Sequence, residues 1–198
     1  MAKFKLIRPP IEYKEQVLGA VQEFYDNNSN IYWVSWLKRY IDNYEWRLDS
    51  LKKRESKETV DDGHVPWKQF LFIRKSDNKL IWFINARLEL NEQLLVSWWH
   101  IWYCIRPSER RHGYATAQLF AVLPVYQDMW VEKVLVTCDK TNIWSAKTIQ
   151  KCGWIFQDEV IDPEDWEVLQ RYRIDIKQWI EKWKNFFESH WIFVSIEK

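Results

Sequence analysis

The chain has 198 residues, with 29 Lys and Arg against 28 Asp and Glu and a formal net charge of +1, so no global field draws it to nucleic acid or to an anionic membrane. The length suits one domain with a substantial core, and no apolar run reaches the roughly 18 residues that a membrane span needs, so a soluble protein is expected. The three cysteines, Cys104, Cys138 and Cys152, show no metal-ligand spacing, and an odd number argues against a secreted disulfide framework; we expect a reducing, cytoplasmic setting and no metal.

In chain order, a short strand at Phe4–Arg8 is stopped by Pro9-Pro10, and a helix runs from about Glu12 to Asp26 until Asn27-Asn28-Ser29-Asn30 breaks it. The charged, aromatic stretch from Val34 to Lys57 reads as helical, and Glu58–Pro66 as a polar loop. Gln69–Arg74 and Leu80–Leu90 read as strands joined by the turn Ser76-Asp77-Asn78. Ser97–Ile105 is the expected fourth strand, followed by a basic turn and a helix over Thr116–Gln127, which Pro124 should kink or shorten. A strand at Lys133–Cys138, a helix at Asn142–Cys152 and a closing hairpin of Ile155–Val160 with Glu167–Asp175 complete the pattern. Strands, then a strand-helix-strand-helix unit, then a hairpin predict an α/β (α+β) fold on a mixed sheet. Residues 1–175 form the expected domain, and 176–198 a helical tail whose Trp179, Ile180, Trp183, Phe186 and Phe187 share one face. That tail fits docking on the domain, pairing with a second subunit, or translation past the true stop.

The segment Ile105-Arg106-Pro107-Ser108-Glu109-Arg110-Arg111-His112-Gly113-Tyr114-Ala115-Thr116 joins an apolar strand to a helix through a basic turn holding one of only four glycines. The first N–H groups of a helix have no partner within it and point along the positive end of its dipole. An anion placed there is bound by the main chain.

The spacing Arg110-x-x-Gly113-x-Ala115, with Pro107 three residues earlier, resembles the acetyl-CoA pyrophosphate loop of the GNAT superfamily of N-acetyltransferases. About 30 residues on, the block from Asn142 through Ser145, Lys151 and Gly153-Trp154 is similar to the later motif of the same superfamily, closest to the branch of ribosomal-protein N-terminal acetyltransferases. The resemblance covers roughly Phe4–Asp175 and implies a mostly antiparallel sheet flanked by helices. It further implies transfer of an acetyl group from acetyl-CoA to a primary amine of a small molecule, peptide or protein N-terminus, in a monomer or homodimer. By the same resemblance, the amides from Arg111 to Thr116, including His112, Gly113, Tyr114 and Ala115, would hold the diphosphate. Arg110 and Arg111 would add charge-assisted contacts. Backbone groups of Tyr103, Cys104, Ile105 and Arg106 would pair with the pantetheine arm where the fourth and fifth strands splay. Asn142 would bind the pantetheine or cap its helix, and both roles are compatible; Ser145 would lie nearby.

Amine attack on a thioester needs a base for the amine proton and an acid for the thiolate. His100 is the first choice of base, read alternatively as a buried structural histidine, and Glu89 is the second. The acid that many members carry in the second helix is a tyrosine; this chain has Ile149 there. Ser145 is a weaker acid candidate. A catalytically silent CoA-binding or partner-binding module on the same fold is the alternative reading.

Fifteen tryptophans stand against four glycines, although glycine averages about 7% of ordinary chains. Trp130 follows a helix end where a left-handed cap is usual, and Trp166 follows Asp165 in a hairpin turn where Asp-Gly is favoured. Trp99, Trp102 and Trp144 occupy positions at which the resembling family often has small residues. We read some of these five as glycines in the living protein, encoded by UGA in a lineage that decodes it as Gly. The alternative is a natural tryptophan-rich core, in which Trp33, Trp36, Trp82 or Trp154 pack normally.

Overall fold

The computed structural model describes residues 3–29, 43–97, 99–163, 165–190 and 194–197. The first part of the Val34–Lys57 stretch, together with Trp33 and Trp36, lies outside these residues. Apolar runs such as Phe70–Ile73 and Leu80–Ile84, all at most 3% exposed, make strands covered on both faces. Strands β1 (Phe4–Ile7), β2 (Trp67–Arg74), β3 (Lys79–Arg87) and β4 (Ile101–Tyr103) pair antiparallel in the order β4-β3-β2-β1. A second sheet is formed by β5 (Lys133–Asp139), β6 (Ile155–Ile161) and β7 (Val168–Asp175), antiparallel in the order β5-β7-β6. Strand β8 (Val194–Glu197) lies parallel to β1 at the outer edge of the first sheet.

Helices α1 (Lys14–Asp26) and α2 (Tyr44–Lys53) cover one face of the first sheet, with Val17, Val21, Phe24 and Tyr44 packed against Leu71, Ile73 and Trp82. The opposite face carries the larger core, where Phe72, Ile84 and Ile101 meet Leu119, Val122 and Tyr126. Each such fully buried side chain contributes about 1.5–3 kcal/mol relative to exposure.

The fourth strand is shorter than its apolar pattern predicts. Residues before it coil into helix α3 (Glu92–Ser97), where the Asn91 side-chain oxygen accepts from Leu94 N at 2.9 Å and caps the first turn. Glu89 accordingly lies past the end of β3 rather than within it. Helix α4 (Tyr114–Asp128) runs through Pro124 without ending. It is buried on almost every side, and tertiary packing offsets the lost hydrogen bond.

Helix α5 (Ile143–Lys151) follows β5, and helix α6 (Ile176–His190) follows β7. Trp179 of α6 is 4% exposed, its indole N–H donates to the Cys152 carbonyl at 2.8 Å, and its ring lies 5.3 Å from that of Phe120. Gly153, at φ 88°, lets this helix approach: a Cβ there would meet Trp183 Nε1 at 3.0 Å. The side chains of Phe186 and Phe187 lie outside the described residues.

Among the described residues, backbone hydrogen bonding joins the two sheets at His100 and Leu135. His100 N donates to Leu135 O at 2.9 Å, and Leu135 N donates to His100 Nδ1 at 3.0 Å. Beyond it β4 pairs only with β3, and β5 only with β7. Past this joint, among the described residues, no backbone hydrogen bond links Tyr103–Ile105 to Val136–Asp139, and this unpaired gap between the two strands is the open V.

Candidate active site at the open V

The turn after β4 is held in place from two sides. Arg106 N donates to Ile81 O at 3.2 Å, Pro107–Glu109 form one tight turn, and Arg110 N closes on Pro107 O at 3.3 Å. Arg111 then adopts φ 66° and Gly113 φ 79°. A side chain in this left-handed region is strained, whereas Gly113 enters it freely and serves as the N-cap of α4. A Cβ on Gly113 would meet nothing within 4 Å, so the space over the helix start is open.

Among the described residues, none of the N–H groups from Arg111 to Thr116 donates to a protein acceptor; the ladder of α4 starts with Ala117 N to Gly113 O at 3.2 Å. Six consecutive donors at a helix N-terminus make an anion seat. Arg110, Arg111 and His112 are exposed at its rim. The Arg110 Nε donates to Ile105 O at 3.1 Å, and its guanidinium lies 5.4 Å from the Phe24 ring.

Two carboxylates brace the seat. The Glu23 Oε2 on α1 accepts from Arg106 Nε at 2.7 Å and Nη2 at 2.5 Å, and its Oε1 accepts from Ser108 N. Burial raises the Glu23 pKa, but the Ser108 N–H and the Arg106 guanidinium outweigh it and hold it below the ordinary carboxylate value. Glu109, 5% exposed, meets Lys79 Nζ at 2.5 Å and Arg74 Nη1 at 2.7 Å from the β2–β3 hairpin. Burial raises its pKa too, and Lys79 with Arg74 bring it below normal. Arg74 also donates to the Tyr114 hydroxyl at 2.9 Å. None of Glu23, Glu109, Arg74 and Lys79 was singled out from sequence. Glu23 and Arg106 are 83 positions apart, and no local motif signals such a pair.

Asn142 caps α5, its Oδ1 accepting from Ser145 N at 3.1 Å. The Ser145 hydroxyl lies 2.9 Å from the Tyr103 hydroxyl, which joins α5 to β4 across the V. Burial raises the Tyr103 pKa, so this phenol stays protonated. Ile149 is fully buried. Burial also pushes Cys104 and Cys138 up to about 11 and Cys152 up to about 12, so none is a thiolate at neutral pH.

The His100 and Glu89 side chains are engaged with different partners. His100 is 8% exposed, with Nδ1 occupied by Leu135 N–H. Burial, followed by the charges of Arg173 and Arg87, lowers its pKa to about 4. Glu89 forms an ion pair with Lys57 and its side chain is 39% exposed. A separate cavity of about 690 Å³, lined by Arg8, Tyr13, Leu51 and Glu55 among others, contains none of the sequence-predicted site residues. Among the described residues no three His, Cys, Asp or Glu are grouped to hold a metal ion, and no helix is long and apolar enough to cross a membrane.

The family model described as an acetyltransferase (GNAT) domain matches residues 12–155. No curated protein matches the sequence. Among solved structures, the microcin C7 self-immunity acetyltransferase MccE, in complex with acetyl-CoA and AMP, aligns over 87% of this chain and 92% of its own at 13% identity and a TM-score of 0.62. The ribosomal-protein α-N-acetyltransferase RimL, in complex with coenzyme A, aligns over 88% and 95% at 13% identity and 0.60. A spermidine N-acetyltransferase SpeG chimera from Vibrio cholerae and hSSAT aligns over 91% and 99% at 13% identity and 0.58. At these identities the likeness is one of fold, a mixed α/β arrangement of antiparallel sheets flanked by helices.

Proposed function

The chain belongs to the GNAT family of acetyltransferases, acetyl-CoA-dependent enzymes, and on that premise we propose that it acetylates a primary amine of a small molecule or a protein N-terminus. The observation that carries this reading is the run of six unpartnered amides from Arg111 to Thr116, which includes the two left-handed residues Arg111 and Gly113. Such a donor set fits a diphosphate and has no other partner among the described residues. Arg110, Arg111 and His112 add positive charge and donors at the rim. The end of β4 at Tyr103 and the chain leaving it through Cys104 and Ile105 to Arg106 offer backbone groups with which an extended arm would pair as a strand does. Asn142 and Ser145 line the opposite wall.

When bound, the thioester supplies an activated acyl carbon. The acceptor amine reaches it from the V, its new N–C bond replacing the C–S bond. We assign the proton for the departing thiolate to the Tyr103 hydroxyl, kept protonated by burial and poised by Ser145. His100 is assigned to joining the sheets, since its Nδ1 is occupied and burial keeps the ring neutral. The amine proton goes to solvent, as Glu89 is engaged with Lys57, and solvent returns a proton to the Tyr103 oxygen, so that amide and free thiol form with no net change in protons.

Free-thiol release from acetyl-CoA, measured across spermidine, amino acids and short peptides with free N-termini, tests the reading. Amine-dependent thiol release is expected. Tight acetyl-CoA binding without turnover on any amine would leave a silent CoA-binding module instead.

A further inference from the structure

Three helices of this protein end in the same way. At the end of α1, Ser29 N donates to Phe24 O and Asn28 N to Tyr25 O, both at 3.1 Å, with Asn28 at φ 46°. At the end of α5, Trp154 N donates to Ile149 O at 3.4 Å and Gly153 N to Gln150 O at 2.9 Å, with Gly153 at φ 88°. At the end of α4, Val131 N donates to Tyr126 O at 3.0 Å and Trp130 N to Gln127 O at 3.1 Å, with Trp130 at φ 59°. Each is the paired 6→1 and 5→2 closure that places the residue after the C-cap in the left-handed region, where glycine and then asparagine are favoured. Asparagine and glycine occupy two of the three positions. Tryptophan occupies the third.

The hairpin between β6 and β7 repeats the anomaly. Asp162 N donates to Glu167 O at 2.8 Å and Trp166 N to Asp162 O at 2.9 Å, so Trp166 is the last loop residue, at φ 64°. A bulky side chain at such an angle is an outlier, retained only where its surroundings compensate. Here nothing compensates: Trp130 is 92% exposed and Trp166 79% exposed. Among the described residues, the remaining positive-φ residues other than glycine are Asn28, Asn78 and Arg111. The first two are of the type that tolerates this region, and the third lies in the anion seat.

Two packed tryptophans behave differently. Trp82 is fully buried with its ring 4.4 Å from that of Phe24, and Trp179 is buried with its N–H bonded to Cys152 O. Trp99, Trp102 and Trp144 are not among the positive-φ residues of the described chain, so the backbone singles out two of the five suspect positions.

We propose that positions 130 and 166 carry glycine in the protein as its own cells make it, the codons there being UGA read as glycine. This accounts for both left-handed tryptophans, for their exposure, and for the scarcity of glycine in a chain with fifteen tryptophans. Packed residues such as Trp82 and Trp179 are genuine tryptophans and are encoded by UGG.

The test is the gene's codons at 130, 166, 82 and 179, together with peptide masses of the protein isolated from cells that carry the gene. Glycine at 130 and 166 with tryptophan at 82 and 179 is expected; UGG codons or tryptophan masses at 130 or 166 overturn the proposal. A second measurement isolates the physical premise. On the chain with tryptophan at both positions, Trp130→Gly and Trp166→Gly should each raise the folded-to-unfolded ratio about two- to fivefold, the left-handed strain released less the entropy of glycine. Trp130→Ala retains the Cβ and should give no gain. Trp179→Gly should lower the ratio by about a hundredfold or more. Equal gains from alanine and glycine at position 130 would show that loss of an exposed ring, not the backbone angle, matters, and would remove the premise.

Discussion

Replacing His100 by Gln probes the joint between the two sheets. The His100 Nδ1 accepts from Leu135 N, and its pKa is lowered from 6.5 to about 4, first by burial and then by Arg173 and Arg87. A histidine with a folded pKa below its unfolded value binds its proton more tightly when unfolded. Its contribution is therefore fully present above pH 6.5 and is lost as the pH falls towards 4. Linkage across that window gives a loss of about 2 kcal/mol between pH 7.5 and pH 5 from this one group. Gln keeps an acceptor for Leu135 N–H and does not titrate. Urea unfolding of both proteins at the two pH values should show the wild type losing about 2 kcal/mol more than His100→Gln, carboxylate effects being common to both. An equal loss in the two proteins, or a His100 ring titrating near 6.5 by NMR, would refute the assignment of a neutral structural histidine.

Gly113→Ala introduces no clash, so its effect is the left-handed penalty alone, about 1 kcal/mol; acetyl-CoA affinity by calorimetry should fall about tenfold as the seat relaxes. Glu23→Ala strips Arg106 and Ser108 N of their shared acceptor and should weaken both folding and acetyl-CoA binding, by about 1–3 kcal/mol for folding in urea titrations, with Glu23→Gln intermediate. Tyr103→Phe should reduce thiol release about 10²-fold while leaving the acetyl-CoA KM nearly unchanged, and unaltered kcat would remove the phenol from the proposed chemistry. The rate should rise with pH through the acceptor amine's own pKa in both wild type and His100→Gln; loss of that profile in the variant would return His100 to the chemistry.

Local pattern made much of this legible. The apolar runs of β2, β3 and β5 and the motif around Gly113 rest on short-range chemistry, and the strand-helix order limited the topology. Even the unusual backbone at Trp130 and Trp166 was readable, since helix ends and tight hairpins ask for glycine wherever they occur. What was hidden depends on distant partners. The Asn91 cap shortens β4 by drawing the residues before it into a helix. The braces from Glu23 and Glu109 cross the fold, and their carboxylates look like ordinary surface charge in the sequence. His100 has the right chemistry for a base, but its neighbours Leu135, Arg87 and Arg173 come from three other places in the chain and decide its protonation. Pro124 did not shorten α4, which runs from Tyr114 to Asp128, because burial around the helix outweighs one missing hydrogen bond.

The most direct measurement of the central claim is an amide NMR titration with coenzyme A and, separately, with pantetheine, which lacks the diphosphate. If the Arg111–Thr116 amides seat the diphosphate, their resonances shift on adding coenzyme A and hold still with pantetheine, while Tyr103–Arg106 respond to both. Coenzyme A that binds while the Arg111–Thr116 resonances stay in place would contradict the account.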